Sequence, residues 1–128
     1  MFSYEILKDD GVIVLTTVGL VTMEDYQTVA PKFFADVRST QSRKLLMDSR
    51  RDDGWSSKEA ESIAFHAWTE SRTLFDRIAV VFHDGIREKT KEFSEFFHNA
   101  NTDIRLFRPD QYDTALDWLK NGEAETLQ

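Results

Sequence analysis

Apolar and polar positions alternate at the start of the chain, and the period changes near residue 22. Tyr4 and Ile6 alternate with polar neighbours, and after Lys8-Asp9-Asp10-Gly11 comes the apolar run Val12-Ile13-Val14-Leu15. An Asp-Gly pair between such runs is a hairpin signal, because glycine tolerates positive φ, so two antiparallel strands are expected first. From Thr22 the spacing is helical. Thr22 and Asp25 form a capping pair, Met23, Tyr26, Val29, Ala30, Phe33, Phe34 and Val37 share one face, and Pro31 should bend that helix slightly. Lys44-Leu45-Leu46-Met47-Asp48 reads as a short buried strand, followed by a polar loop from Ser49 to Trp55.

Ser56 and Glu59 are spaced as a second capping box, and Ile63, Ala64 and Ala67, with Ala60, mark the core face of the helix it opens. Ile78-Ala79-Val80-Val81-Phe82 is the strongest strand signal. A helix around Ile86, Thr90, Phe93 and Phe97 follows, then a strand at Ile104–Phe107, then a helix opened by Pro109 and carrying Tyr112, Ala115, Leu116 and Leu119. The order β-β-α-β-α-β-α-β-α predicts an α/β fold. Its mixed five-stranded sheet has an N-terminal antiparallel hairpin, then parallel units joined by right-handed crossovers, with four helices. A single domain is expected over residues 1–120, with 121–128 as a short polar tail. Ligands of such sheets meet the carboxyl ends of the parallel strands, which directs attention to Asp48–Trp55, His83–Gly85 and Arg108.

Composition narrows the function classes. With 41% hydrophobic and 30% charged residues in 128, the chain is long enough for one sizeable core. Sixteen basic against 23 acidic residues give a net charge of −7, which opposes nucleic-acid binding. The absence of cysteine removes disulfides, thiolate metal sites and cysteine nucleophiles. No signal-peptide pattern and no apolar run of the roughly 18 residues a span requires are seen, so a cytoplasmic location is expected. His66, His83 and His98 lack metal-ligand spacing, and there is neither a nucleophile elbow nor a glycine-rich phosphate loop. No cofactor, no metal and no catalysis are expected.

Several segments together carry a family likeness. Val18–Tyr26, the proline in the first helix, Leu45–Asp48, Asp53-Gly54-Trp55, Arg77–Val81 and Ala115-Leu116-Asp117-Trp118-Leu119, in this order, resemble the SpoIIAA-like family over nearly the whole chain. The resemblance implies a STAS-type fold, related in architecture to the CRAL-TRIO lipid-transfer domain, without an established enzyme activity. It also implies a candidate phosphosite at Ser56 or Ser57, since related anti-sigma-factor antagonists are switched by a serine at that helix start. Here Gly54 and Trp55 precede the serines and no glycine follows them, a departure from the antagonists' signature.

The aromatics suggest a site. On a helical wheel Phe65 points away from the Ile63, Ala64 and Ala67 face, Trp68 lies at the edge of that face, and Trp55 stands in the preceding loop. An exposed aromatic group rimmed by charge is a partner or membrane contact. The helices carrying Phe65, Trp68, Phe93, Phe96 and Phe97 are also expected to separate from the sheet for an apolar ligand. The sequence therefore points to a non-catalytic domain that engages a protein partner or a small apolar or lipid ligand. Arg50, Asp53, Trp55, Phe65, Trp68, Phe93, Phe96 and Phe97 are its binding residues, with peripheral membrane contact and a homodimer as further expectations. The alternative is a phosphorylation-switched regulator or metal-dependent enzyme built on Asp48, Asp53 and Ser56.

Overall fold

Gly11, at φ +66°, turns the chain back between β1 (Phe2–Leu7) and β2 (Val12–Val21), and the Leu7 carbonyl accepts from the amides of both Asp10 and Gly11. A side chain there would strain the left-handed backbone. The computed structural model describes residues 1–40, 43–71, 74–96 and 102–121. Beyond the hairpin come α1 (Met23–Thr40), β3 (Lys44–Trp55), α2 (Lys58–Ser71), β4 (Arg77–Phe82), α3 (Arg87–Phe96), β5 (Asp103–Phe107) and α4 (Tyr112–Asn121). The element order is the one expected from periodicity. Of the tail expected at 121–128, Asn121 is the last residue of α4, and residues 122–128 lie outside the described residues.

The strands lie in the order β1-β2-β3-β4-β5, antiparallel at the first pair and parallel at the other three. Each parallel step moves one strand in the same direction. Right-handed crossovers therefore put α1, α2 and α3 on one face. The core on that face holds Ile13, Leu15, Phe33, Leu45, Trp68 and Ile78, among others. The helix α4 leads to no further strand and covers the other face, where Ala115, Trp118 and Leu119 pack on Val12, Val14, Leu46 and Val81. Thr22 and Asp25 cap α1 reciprocally: the Thr22 hydroxyl accepts from the Asp25 amide at 3.0 Å and the Asp25 carboxylate from the Thr22 amide at 3.2 Å.

Three local expectations are corrected. Residues 49–55 are not a loop: β3 runs through them to Trp55, and Val18, Gly19, Leu20 and Val21 of β2 pair with Arg51, Asp52, Gly54 and Trp55. Polar side chains masked a strand whose backbone groups are satisfied by a long neighbour. The N-cap of α2 is Ser57, not Ser56, because the Ser57 hydroxyl accepts from the Ala60 amide at 3.1 Å. The Ser56 amide instead donates to the Val21 carbonyl and ends the strand pairing. Finally, α2 is rotated by about 50° from the face its small apolar residues suggest. Ala60, Ala64 and Trp68 are buried, while Ile63 is 40% exposed. One indole removes more apolar area from water than one isoleucine, so the helix turns to bury Trp68.

Candidate functional site

The β3 strand has 12 residues against 10 in β2, and the two extra residues are taken up as bulges. In register, Thr16 faces Asp48 but Val18 faces Arg51, and Gly19 faces Asp52 but Leu20 faces Gly54. Up to the first bulge, alternation sends Met47 and Ser49 toward α2 and Asp48 and Arg50 toward α4. A regular strand would next send Arg51 toward α2. The bulge instead leaves Arg51 beside Arg50, with Thr16 and Asp48, around a hollow of about 220 Å³. Asp52 takes the inward place. Bulges re-aim side chains in this way beside functional sites.

The inward residues line a cavity of about 510 Å³ at the carboxyl ends of β2, β3 and β4, between the sheet and α2 and α3. The sheet contributes Phe2, Leu15, Thr17, Met47, Ser49 and Val80. The α2 side contributes Ser57, Lys58, Glu61, Ala64, Phe65 and Trp68, and the α3 side Ile86, Lys89, Thr90 and Phe93. The residues Asp52 to Ser56 cross the remaining side. Short side chains at Thr17, Ser49 and Ala64 help to leave this space open, although the first two are buried at 7% and 5% exposure.

Polar contacts hold the β3 end in place. The Thr17 hydroxyl donates to the Asp52 carboxylate at 2.7 Å, and the Gly54 amide donates to its other oxygen at 2.6 Å. His83 Nε2 donates to the Asp52 carbonyl, and His83 Nδ1 accepts from the Gly85 amide at 3.0 Å, which assigns the neutral ring its tautomer. Gly54, at φ +97°, occupies a conformation that favours glycine and lets the strand carry Trp55 back onto the core, edge-on to Tyr26 at 5.8 Å. Across the mouth, Lys89 on α3 pairs with Glu61 on α2 at 2.8 Å. That hydrogen bond raises the Lys89 pKa above its ordinary value. An exposed pair of this kind contributes little stability and does not lock the two helices together.

The structure brings together most, but not all, of the residues expected from the sequence. Asp53, Trp55, Ser56, Ser57, Phe65, Trp68 and Phe93 line the cavity. Phe65 is half-buried there and does not project from the opposite helix face, and Trp68 is a core residue at 4% exposure, so no exposed aromatic cluster exists on α2. Trp55 packs against the core rather than standing in a loop. Arg50 is not part of this site: its guanidinium binds the Asp48 carboxylate through two hydrogen bonds of 2.8 Å and lies 4.3 Å from the centre of the Tyr112 ring, toward α4.

Burial pushes the Asp48 carboxyl up, but the hydrogen bonds and charge of Arg50, with Arg51 nearby, outweigh it and hold the group below the usual carboxylate range. Asp48 therefore shares no site with Asp53 and Ser56, as the alternative arrangement requires. The Phe96 side chain and all of Phe97 lie outside the described residues. Sequence reasoning placed Ser49 and Asp52 within the stretch Asp48–Trp55 without naming either as a binding residue, and it missed Thr17 and Met47. The period-two alternation of Met47 and Ser49 was available as a signal. The inward turn of Asp52 was not, because it depends on the bulge.

Comparison with known proteins agrees with this architecture. A family model described as SpoIIAA-like matches residues 12–120. Among solved structures, the chain is similar to an uncharacterized protein from the DUF3478 family with a SpoIIAA-like fold from Shewanella loihica PV-4. The two are 22% identical, the match covers 93% of this chain and 92% of that one, and the TM-score is 0.71. At that identity the likeness carries the fold alone. No curated protein matches the chain.

Proposed function

The chain belongs to the SpoIIAA-like family, and from that premise we propose that it is a non-catalytic, STAS-type binding domain whose cavity between the sheet, α2 and α3 takes a small apolar ligand. The carrying observation is the cavity itself: about 510 Å³, walled by Phe2, Met47, Trp55, Phe65, Trp68 and Phe93. Ligand pockets fall in the range of about 300–1,000 Å³, are mostly apolar, and hold a few placed polar groups. The position at the carboxyl ends of parallel strands favours the same reading. No helix among the described residues is long and apolar enough to cross a membrane.

Trp55 and Trp68 both line the space and provide the readout. Dodecanol, titrated below its solubility limit into protein stripped of hydrophobic contaminants, is expected to shift tryptophan emission saturably. Ala64→Leu fills the cavity and Phe65→Ala removes a wall. Each is expected to weaken dodecanol by about tenfold, roughly 1.4 kcal/mol, with the circular dichroism spectrum retained. Unchanged dodecanol affinity in both folded variants would sink the reading.

A further inference from the structure

We infer that the ligand of this cavity is an amphiphile with a cationic amine head, seated with the amine against Asp52 and Asp53 and its apolar body among the aromatic rings. This rests on the apolar-ligand reading above and specifies its chemistry. The first bulge of β3 decides the charge on this side of the sheet: it keeps Arg51 on the far face beside Arg50 and turns Asp52 inward. Each Asp52 oxygen has one donor, from Thr17 and from the Gly54 amide, so the carboxylate is oriented and keeps lone pairs for a further donor. Beside it Ser49 is 5% exposed and lines the same space, and among the described residues its hydroxyl has no hydrogen-bond partner. An ammonium group satisfies both acceptors.

The aromatic wall favours the same charge, since a cation is attracted to ring faces and an anion is not. Trp55, Phe65 and Phe93 all border the cavity. The opposing cations stand at the rim. Lys58 is exposed, and Lys89 is already held by Glu61. Of that pair the acid is the more enclosed, at 22% side-chain exposure against 57%. Charges count more where water is excluded, so the half-buried Asp52, with the exposed Asp53 beside it, outweighs the rim lysines. The amino end of α2 also borders the mouth, but Ser57 already takes its Ala60 amide, and Glu59 and Glu61 occupy the first turn. A carboxylate or phosphate head would meet Asp52 and Asp53 directly.

Dodecylammonium, dodecanol and laurate share one chain and differ in head charge. Each is titrated into the full chain below its micelle concentration, with calorimetry as the readout. The expected order is dodecylammonium tighter than dodecanol by at least about tenfold, with laurate weakest. Asp52→Asn is expected to lower the ratio of amine to dodecanol affinity by about tenfold. Asp53→Asn gives the same comparison if the first variant does not fold. Laurate matching the amine, an amine preference that survives both substitutions, or amine binding undiminished in Ala64→Leu would each overturn the inference. Dodecanol binding with no amine preference overturns it while leaving the apolar-ligand reading standing. Failure of all three probes to bind the folded protein removes both.

Discussion

Tyr26 shows how much one side chain can reveal. It is 5% exposed, packed edge-on against Phe2 and Trp55, and its hydroxyl has no hydrogen-bond partner among the described residues. Burial pushes its pKa up to about 12 from 10.0. The folded state favours the neutral phenol, so its contribution to stability is fully present below pH 10 and is lost as pH rises from 10 to about 12. Tyr26→Phe keeps the ring contacts and deletes a desolvated, unpaired hydroxyl. It is expected to stabilise the protein by up to about 1 kcal/mol in urea unfolding at pH 7. The variant should also lose less stability than the parent between pH 10 and 12. A destabilised variant would mean that the hydroxyl has a partner in solution.

Among elements, α2 is the one whose sequence pattern and packing disagree most, and its start gives a clean test. Ser57 holds the Ala60 amide, while the Ser56 backbone closes the pairing of β3 with β2. Ser57→Ala is expected to cost about 1 kcal/mol in thermal or urea unfolding, and Ser56→Ala only a few tenths. The reverse order would restore the capping box that the Ser56 and Glu59 spacing suggests. Both serines satisfy the spacing rule within one position. The choice between them is made by where β3 ends, and that is set by Val21 of another strand. The rotation of α2 has the same character: periodicity marks a broad apolar stripe, but the burial of Trp68 at the expense of Ile63 is settled by what the sheet offers underneath.

For the whole molecule, core and cavity meet on one helix. Trp68 stacks in the cluster of Phe33, Phe34, Phe75 and Phe93, with ring centres 5.3–6.2 Å away, while Phe65 lines the cavity and is half-buried. Trp68→Ala is therefore expected to cost about 3–5 kcal/mol of stability, and Phe65→Ala much less. Equilibrium unfolding of the two variants measures the difference. A comparable loss in both would place Phe65 in the core and reduce the cavity to a packing defect.

Local rules acting on the sequence by itself determined the strand–helix order, the Asp10-Gly11 hairpin, the α1 cap and the mixed sheet, and they pointed to the carboxyl ends of the strands, where the cavity lies. Turn chemistry, capping and periodicity each need only neighbouring residues, and right-handed crossovers then leave few ways to arrange the strands. Only the tertiary structure decided that residues 49–55 are strand, that bulges turn Asp52 inward and Arg51 outward, and that α2 rolls onto Trp68. Those outcomes depend on the length of β2, on the register between two strands, and on the area a distant sheet can bury. Arg50 and Asp52, two residues apart and so on one face of a regular strand, consequently face opposite sides of the sheet because the first bulge puts one extra residue into β3 at that point.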